Sequence, residues 1–224
     1  MTGTDRRWSR REWLQVAGLA AAGYGITLLV RANLPVGRDV SGFPAALSLQ
    51  RDPHGPAEGP GHADVTIIAF TDYLCPACRK AAPDLAAAIR ADGRVKAVYR
   101  DWPIFGPLAE QLARLALAAD YQGIYPAVHH ALMREHPSGD ERALQSLIEG
   151  AGGDWARIVQ DQITHVVEIE AALARNRHDA AALGLAGTPA FLAGTLLIEG
   201  AVSQSQFARA FREVREKQDE PQAV

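Results

Sequence analysis

Residues 65–71 read Val65, Thr66, Ile67, Ile68, Ala69, Phe70, Thr71, an almost unbroken apolar and β-branched run. Such a run predicts a strand buried on both faces. The Ala-rich stretch 79–90 follows and predicts a helix, with Pro83 inside it as a kink. Residues 94–100 alternate Val95, Ala97 and Tyr99 with Lys96, Val98 and Arg100, the period of a second strand. Strand, long helix, strand implies parallel pairing through a right-handed crossover. From 107 to 183 the period becomes helical, beginning with one apolar face at Leu108, Leu112, Leu115 and Ala119. A second helix is expected over 124–134, ended by Pro137. Ser138 and Glu141 have the spacing of a capping box for a third, which the glycines of 150–153 break. Asp154 opens a stretch toward Leu183, expected in two pieces and stopped by Gly184. The β pattern returns at 189–193 and 196–199, joined by Gly194 and Thr195 as a tight hairpin. Ser203 is placed to cap a last helix bearing Phe207 and Phe211 at i, i+4. Residues 217–224 are polar and expected to fray.

The amino-terminal part has a different pattern. Residues 13–30 carry no charge and follow Arg6, Arg7, Arg10 and Arg11. These 18 residues exceed the ~7–15 of a signal-peptide core and reach the ~17–25 of a short membrane span. A cleaved export signal and a retained anchor both stay open. A buried amphipathic helix is the third reading, against which the run shows no polar face. Under either export reading the arginines stay cytoplasmic and the rest crosses the membrane. Residues 33–62 hold Pro35, Pro44, Pro53, Pro56 and Pro60 among several glycines, the composition of a linker. Within it, 42–49 is apolar enough for an edge strand, and His54 and His62 are expected in solvent. The expected organisation is an export signal or anchor at 1–32, a linker at 33–62, a folded domain at 63–216 with a helical insert at 107–183, and a polar tail.

A net charge of −3 gives no sign of a nucleic-acid partner, and 48% hydrophobic residues suffice for a core. Cysteine usage narrows the chemistry further. Cys75 and Cys78 are the only two in the chain, spaced Cys-x-x-Cys between the first strand and its helix. A thiolate, not a thiol, attacks a disulfide. At a helix N-terminus, free N–H groups and the helix dipole favour negative charge. Pro76 suits the first helical position. Cys75 therefore reads as the nucleophile, and Cys78, one turn on, as the thiol that resolves a mixed disulfide. Two other readings compete. An inert disulfide closing so small a loop would restrain the unfolded chain little. A zinc site would need further ligands, and no second Cys-x-x-Cys or His-x₃₋₅-His pair is present. A soft-metal protein using the pair and a histidine remains open. His129, His130, His165 and His178 fall on predicted helices, where a surface or satisfied histidine is the common case.

The segment from Val65 to Cys78, the run Val98-Tyr99-Arg100-Asp101-Trp102-Pro103, and Gly187-Thr188-Pro189-Ala190-Phe191 occur in this order. Together they resemble the DsbA-like thiol–disulfide oxidoreductases of the thioredoxin superfamily. The resemblance implies an α/β, thioredoxin-like fold with an inserted helical subdomain. It implies that Thr188-Pro189 forms a cis-proline loop facing the thiols, where the Thr188 backbone would bind an extended substrate strand. It implies a redox-active Cys75–Cys78 disulfide, no cofactor and no metal. The expected partners are exported proteins with cysteines and a membrane protein that recycles the disulfide, outside the cytoplasm. Without room for a dimerisation domain in 33–62, the chain is expected to be a monomer. Within that family the leading activity is disulfide formation, and disulfide reduction or isomerisation is the alternative.

The chain departs from the family pattern in one respect. Some relatives carry a buried acid six residues before the first cysteine, where this chain has Ala69. Asp72 is nearer the thiols. It could tune them or relay a proton from Cys78, or it could cap the turn.

Overall fold

The computed structural model describes residues 10–33, 35–51, 53–135 and 137–219. The chain divides into two units, one up to Pro35 and one from Val36 onward. The first holds helix α1 (Arg10–Asn33), whose described side chains Trp13, Leu19 and Tyr24 are exposed. Arg6 and Arg7 of the expected export signal or anchor lie outside the described residues. Among the described residues no helix is long and apolar enough to cross a membrane.

The second unit begins with β1 (Arg38–Asp39), α2 (Pro44–Arg51) and β2 (Ala57–Glu58). Then come β3 (Val65–Thr71), α3 (Pro76–Asp92) and β4 (Val95–Asp101). Five helices follow: α4 (Pro107–Asp120), α5 (Tyr125–Arg134), α6 (Glu141–Gly150), α7 (Trp155–Thr164) and α8 (Val166–Ala182). The chain closes with β5 (Ala190–Ala193), β6 (Leu196–Glu199) and α9 (Gln204–Asp219). The sheet order is β1-β6-β5-β3-β4-β2. β3 lies in the middle, parallel to β4 from Val65↔Val95 to Thr71↔Asp101, and antiparallel to β5. The remaining pairs are antiparallel.

The strand period of two explains the layers. Val65, Ile67 and Ala69 face a core shared with α3, α9 and the helices α4 to α7. Ile68 and Phe70 face the other side, where Ala46 and Leu49 of α2 and Ala180 and Leu183 at the end of α8 cover them. A strand sealed on both faces must be apolar at nearly every position, and β3 is. On the first face, Phe191 meets Phe207 edge to face at 4.9 Å. Such a pair adds about 0.5–1.5 kcal/mol beyond the area it buries.

Four expectations need correction. The segment 33–62 is more than a linker, since β1 and β2 extend the sheet at its two edges. The edge strand expected at 42–49 is instead a helix, started by Pro44 and burying Ala46 and Leu49 at i, i+3. The tail expected from Lys217 is helical to Asp219, and Lys217 pairs with Asp39 at 2.7 Å. The tail from 220 on lies outside the described residues. The N-cap of α6 is Asp140, whose carboxylate accepts from Ala143 N at 3.0 Å. Ser138 lies two residues too early and accepts instead from Asp140 N.

Candidate active site

β3 ends beside the N-terminus of α3, and the turn between them carries the first thiol. Cys75 is the N-cap of α3, with φ −72° and ψ 116°, and Pro76 follows in the first turn. Its Sγ accepts the Cys78 N–H at 3.4 Å. At the far end of the helix, Gly93 takes φ +73° and donates to the Ile89 carbonyl, closing α3 with a left-handed residue that glycine adopts without cost.

Both cysteines are free thiols and both are buried. Burial is the main influence on Cys78 and pushes its thiol well above the usual range. The Thr188–Pro189 peptide bond is cis. The Cys75 thiol donates to the Thr188 carbonyl at 3.3 Å, across 113 positions of sequence. The structure therefore brings Cys75, Cys78, Thr188 and Pro189 to one place, at the C-terminal end of β3 and the entry to β5. Among the described residues there is no group of three or more His, Cys, Asp or Glu that could hold a metal ion.

Asp72 is buried, but its carboxylate is spent on backbone. Oδ1 accepts from Leu74 N at 2.7 Å, and Oδ2 accepts from Ile104 N at 2.7 Å and Phe105 N at 3.0 Å. The Asp72 carbonyl accepts from Cys75 N at 3.1 Å. Of the two roles left open for this residue, the geometry matches the cap: it ties the 104–105 loop to the turn that carries Cys75.

A buried polar network lies beneath the turn, and it escaped the reading of the sequence. Tyr125 donates to both carboxylate oxygens of Asp101, at 3.0 Å each. The Tyr73 hydroxyl lies 3.3 Å from that of Tyr125 and 3.2 Å from His129 Nδ1. Tyr99 packs on the His129 ring at 4.1 Å and donates to Glu58, which pairs with His130 at 2.7 Å. One signal was available. Asp101 ends the strand parallel to β3 in register with Thr71, and sites gather where parallel strands end.

This network carries two opposed titrations. Burial raises the Asp101 carboxyl to about 7 and lowers the His129 imidazole to about 3. The same groups titrate near ~3.9 and ~6.5 in an unfolded chain. Between about pH 4 and 6.5 the folded state thus holds one proton more at Asp101 and one fewer at His129. The Asp101 contribution to stability is lost as pH rises through this window. The His129 contribution is lost as pH falls through it. Their limiting slopes, about 1.4 kcal/mol per pH unit each, oppose one another. Asp101→Asn removes one and leaves the other. Urea unfolding should show the variant losing stability relative to wild type on acidification from about pH 6.5 to about 4.5, by about 1 kcal/mol per unit. Parallel curves for the two proteins would refute the pairing.

The chain is similar to known proteins. The family model described as Thioredoxin matches residues 51–213. A thioredoxin-like oxidoreductase from Silicibacter pomeroyi DSS-3 is 37% identical, with a TM-score of 0.70 over 75% of this chain and 96% of its own. A periplasmic thioredoxin-like protein from Salmonella enterica serovar Typhimurium is 26% identical, with a TM-score of 0.66 over 76% and 95%. The thiol-disulfide exchange protein alpha-DsbA2 from Wolbachia pipientis, 24% identical, shares the fold with a TM-score of 0.70 over 76% and 95%. No curated protein matches the chain.

Proposed function

Since the chain belongs to the thioredoxin family, we propose that it is an exported, DsbA-like thiol–disulfide oxidoreductase that forms disulfides in extracytoplasmic proteins. One observation carries the reading: Cys75 caps α3, accepts the Cys78 N–H and touches Thr188 beside Pro189. The similar periplasmic protein from Salmonella supports an extracytoplasmic place.

The reaction starts from a Cys75–Cys78 disulfide. A substrate thiolate attacks Cys75 Sγ, and the bond between the two enzyme sulfurs breaks. The electron pair goes to Cys78, which takes up a proton because burial holds it as a thiol. A second substrate thiolate then attacks the substrate sulfur of the mixed disulfide and releases Cys75 as a thiolate at the N-terminus of α3. The substrate has lost two electrons and the enzyme has gained them. A membrane partner restores the disulfide by taking them away. Thr188 supplies backbone for an extended substrate strand once its contact with the Cys75 thiol is exchanged for one with the substrate. Asp72 sets the position of the turn.

The equilibrium reduction potential of the pair against glutathione tests the direction. A value near about −120 mV makes the protein a disulfide donor. A value near about −270 mV reverses the electron flow and makes it a reductase, the alternative of the same fold.

A further inference from the structure

An open groove of about 570 Å³ runs along the outer side of α3, between that helix and α5. Four cations line it: Arg79, Lys80 and Arg90 from α3, and Arg134 from α5. Pro83 and Met133 are among the apolar residues between them, and no carboxylate lines the groove. This concentration stands out in a chain whose net charge is −3. Several cations elsewhere are paired: Arg215 with Asp64 and Asp92, Arg114 with Glu110 and Glu170, Lys217 with Asp39. In the groove, Arg79 donates to the Glu135 carbonyl and joins the end of α5 to α3, while no ion pair involves these four cations among the described residues. His130 also reaches the groove, and its ring bonds Glu58 at 2.7 Å.

The groove starts one turn from Cys75, since Arg79 N donates to the Cys75 carbonyl. At 1.5 Å per helical residue, the three cations of α3 lie about 6 to 22 Å along the helix from that cysteine. An extended chain advances about 3.3 Å per residue, so positions about two to seven residues from a reacting cysteine can lie over it.

We propose that this groove docks an acidic stretch of the substrate polypeptide and so selects substrates with Asp or Glu on one side of the cysteine presented to Cys75. The proposal rests on the exchange reading given above. Uncompensated cations in a groove raise the local concentration of an anionic segment and its association rate. The small apolar floor lets an extended backbone approach closely.

The test uses the oxidised full chain and three dithiol peptides: one with an acidic run before the cysteines, one with it after, and one with a glutamine run. At low salt, one acidic peptide should be oxidised with a kcat/KM about tenfold above the glutamine peptide, and high salt should bring the two together. Lys80→Glu with Arg134→Glu should reverse the preference, and Lys80→Gln with Arg134→Gln should abolish it. The glutamine peptide serves as the internal measure of unchanged chemistry in each variant. Equal rates for all three peptides, or a preference that survives both pairs of substitutions, overturns the proposal. Inorganic phosphate removing the advantage at an ionic strength where sodium chloride does not would mark a small-anion site and also overturn it. Serine copies of the peptides, followed by fluorescence anisotropy, read docking without exchange. Failure of every peptide to react would therefore strike the exchange reading, while the anisotropy would still decide the groove.

Discussion

Cys75→Ser is expected to reduce disulfide exchange to the uncatalysed background, a loss on the order of a thousandfold or more, because the attacking and attacked sulfur is gone. The fold should survive. Serine is among the best N-cap residues, and its hydroxyl can accept the Cys78 N–H and donate to the Thr188 carbonyl as the thiol does. Cys78→Ser should differ in kind. It keeps the attacking sulfur and loses the one that resolves, so single-turnover assays should show a mixed disulfide with substrate that persists. Mass spectrometry after mixing each variant with a dithiol or disulfide peptide separates the two. Exchange by the wild type no faster than that of Cys75→Ser would leave the protein as a scaffold in which the pair is inert.

Asp72→Ala is expected to destabilise the protein by about 3 kcal/mol, measured by urea unfolding of the reduced form. Three backbone donors lose a charged acceptor at once: Leu74 N, Ile104 N and Phe105 N. Water can replace part of this, since Ile104 and Phe105 are exposed. The effect should also reach the chemistry. The Ile104 side chain comes within 4.0 Å of where a Cβ on Gly187 would stand, so the loop that Asp72 holds borders the loop of Thr188 and Pro189. Releasing it should raise KM for peptide substrates more than it lowers kcat. Asp72→Asn should fall between, because one oxygen remains an acceptor while the amide N–H₂ faces donors. Unchanged stability with a displaced reduction potential would assign Asp72 to thiol tuning instead.

How much the sequence discloses depends on the element. β3 was legible because a strand sealed on both faces leaves no polar position to blur the run. The hairpin and α9 carried their own turn and cap residues. β1 and β2 were not legible, because two-residue strands have no period to detect. Residues 42–49 were ambiguous in principle, since a short apolar run fits either structure until its partners are known. At the site, Cys75 and Cys78 declared themselves by spacing. Thr188 and Pro189 did not, since a proline at the start of a strand is ordinary, and the family resemblance supplied their place. The buried network was hidden for another reason. Its members Glu58, Tyr73 and Asp101, with Tyr125 and His129 one turn apart on α5, come from four separate segments, each unremarkable alone, and only the fold joins them.

The contact between Cys75 and Thr188 also bears on the order in which the molecule is assembled. A chain made or exported from its amino end presents both thiols long before residue 188 follows. β3 can pair with β4 early, but its other neighbour, β5, comes after all five helices of the insert. Until then the dithiol has no loop opposite it and half of the central strand's edge is unpaired. A nascent form of this protein is therefore a reactive dithiol before it is a selective one. Its own completion, by the last hairpin, is the event that covers the sulfur.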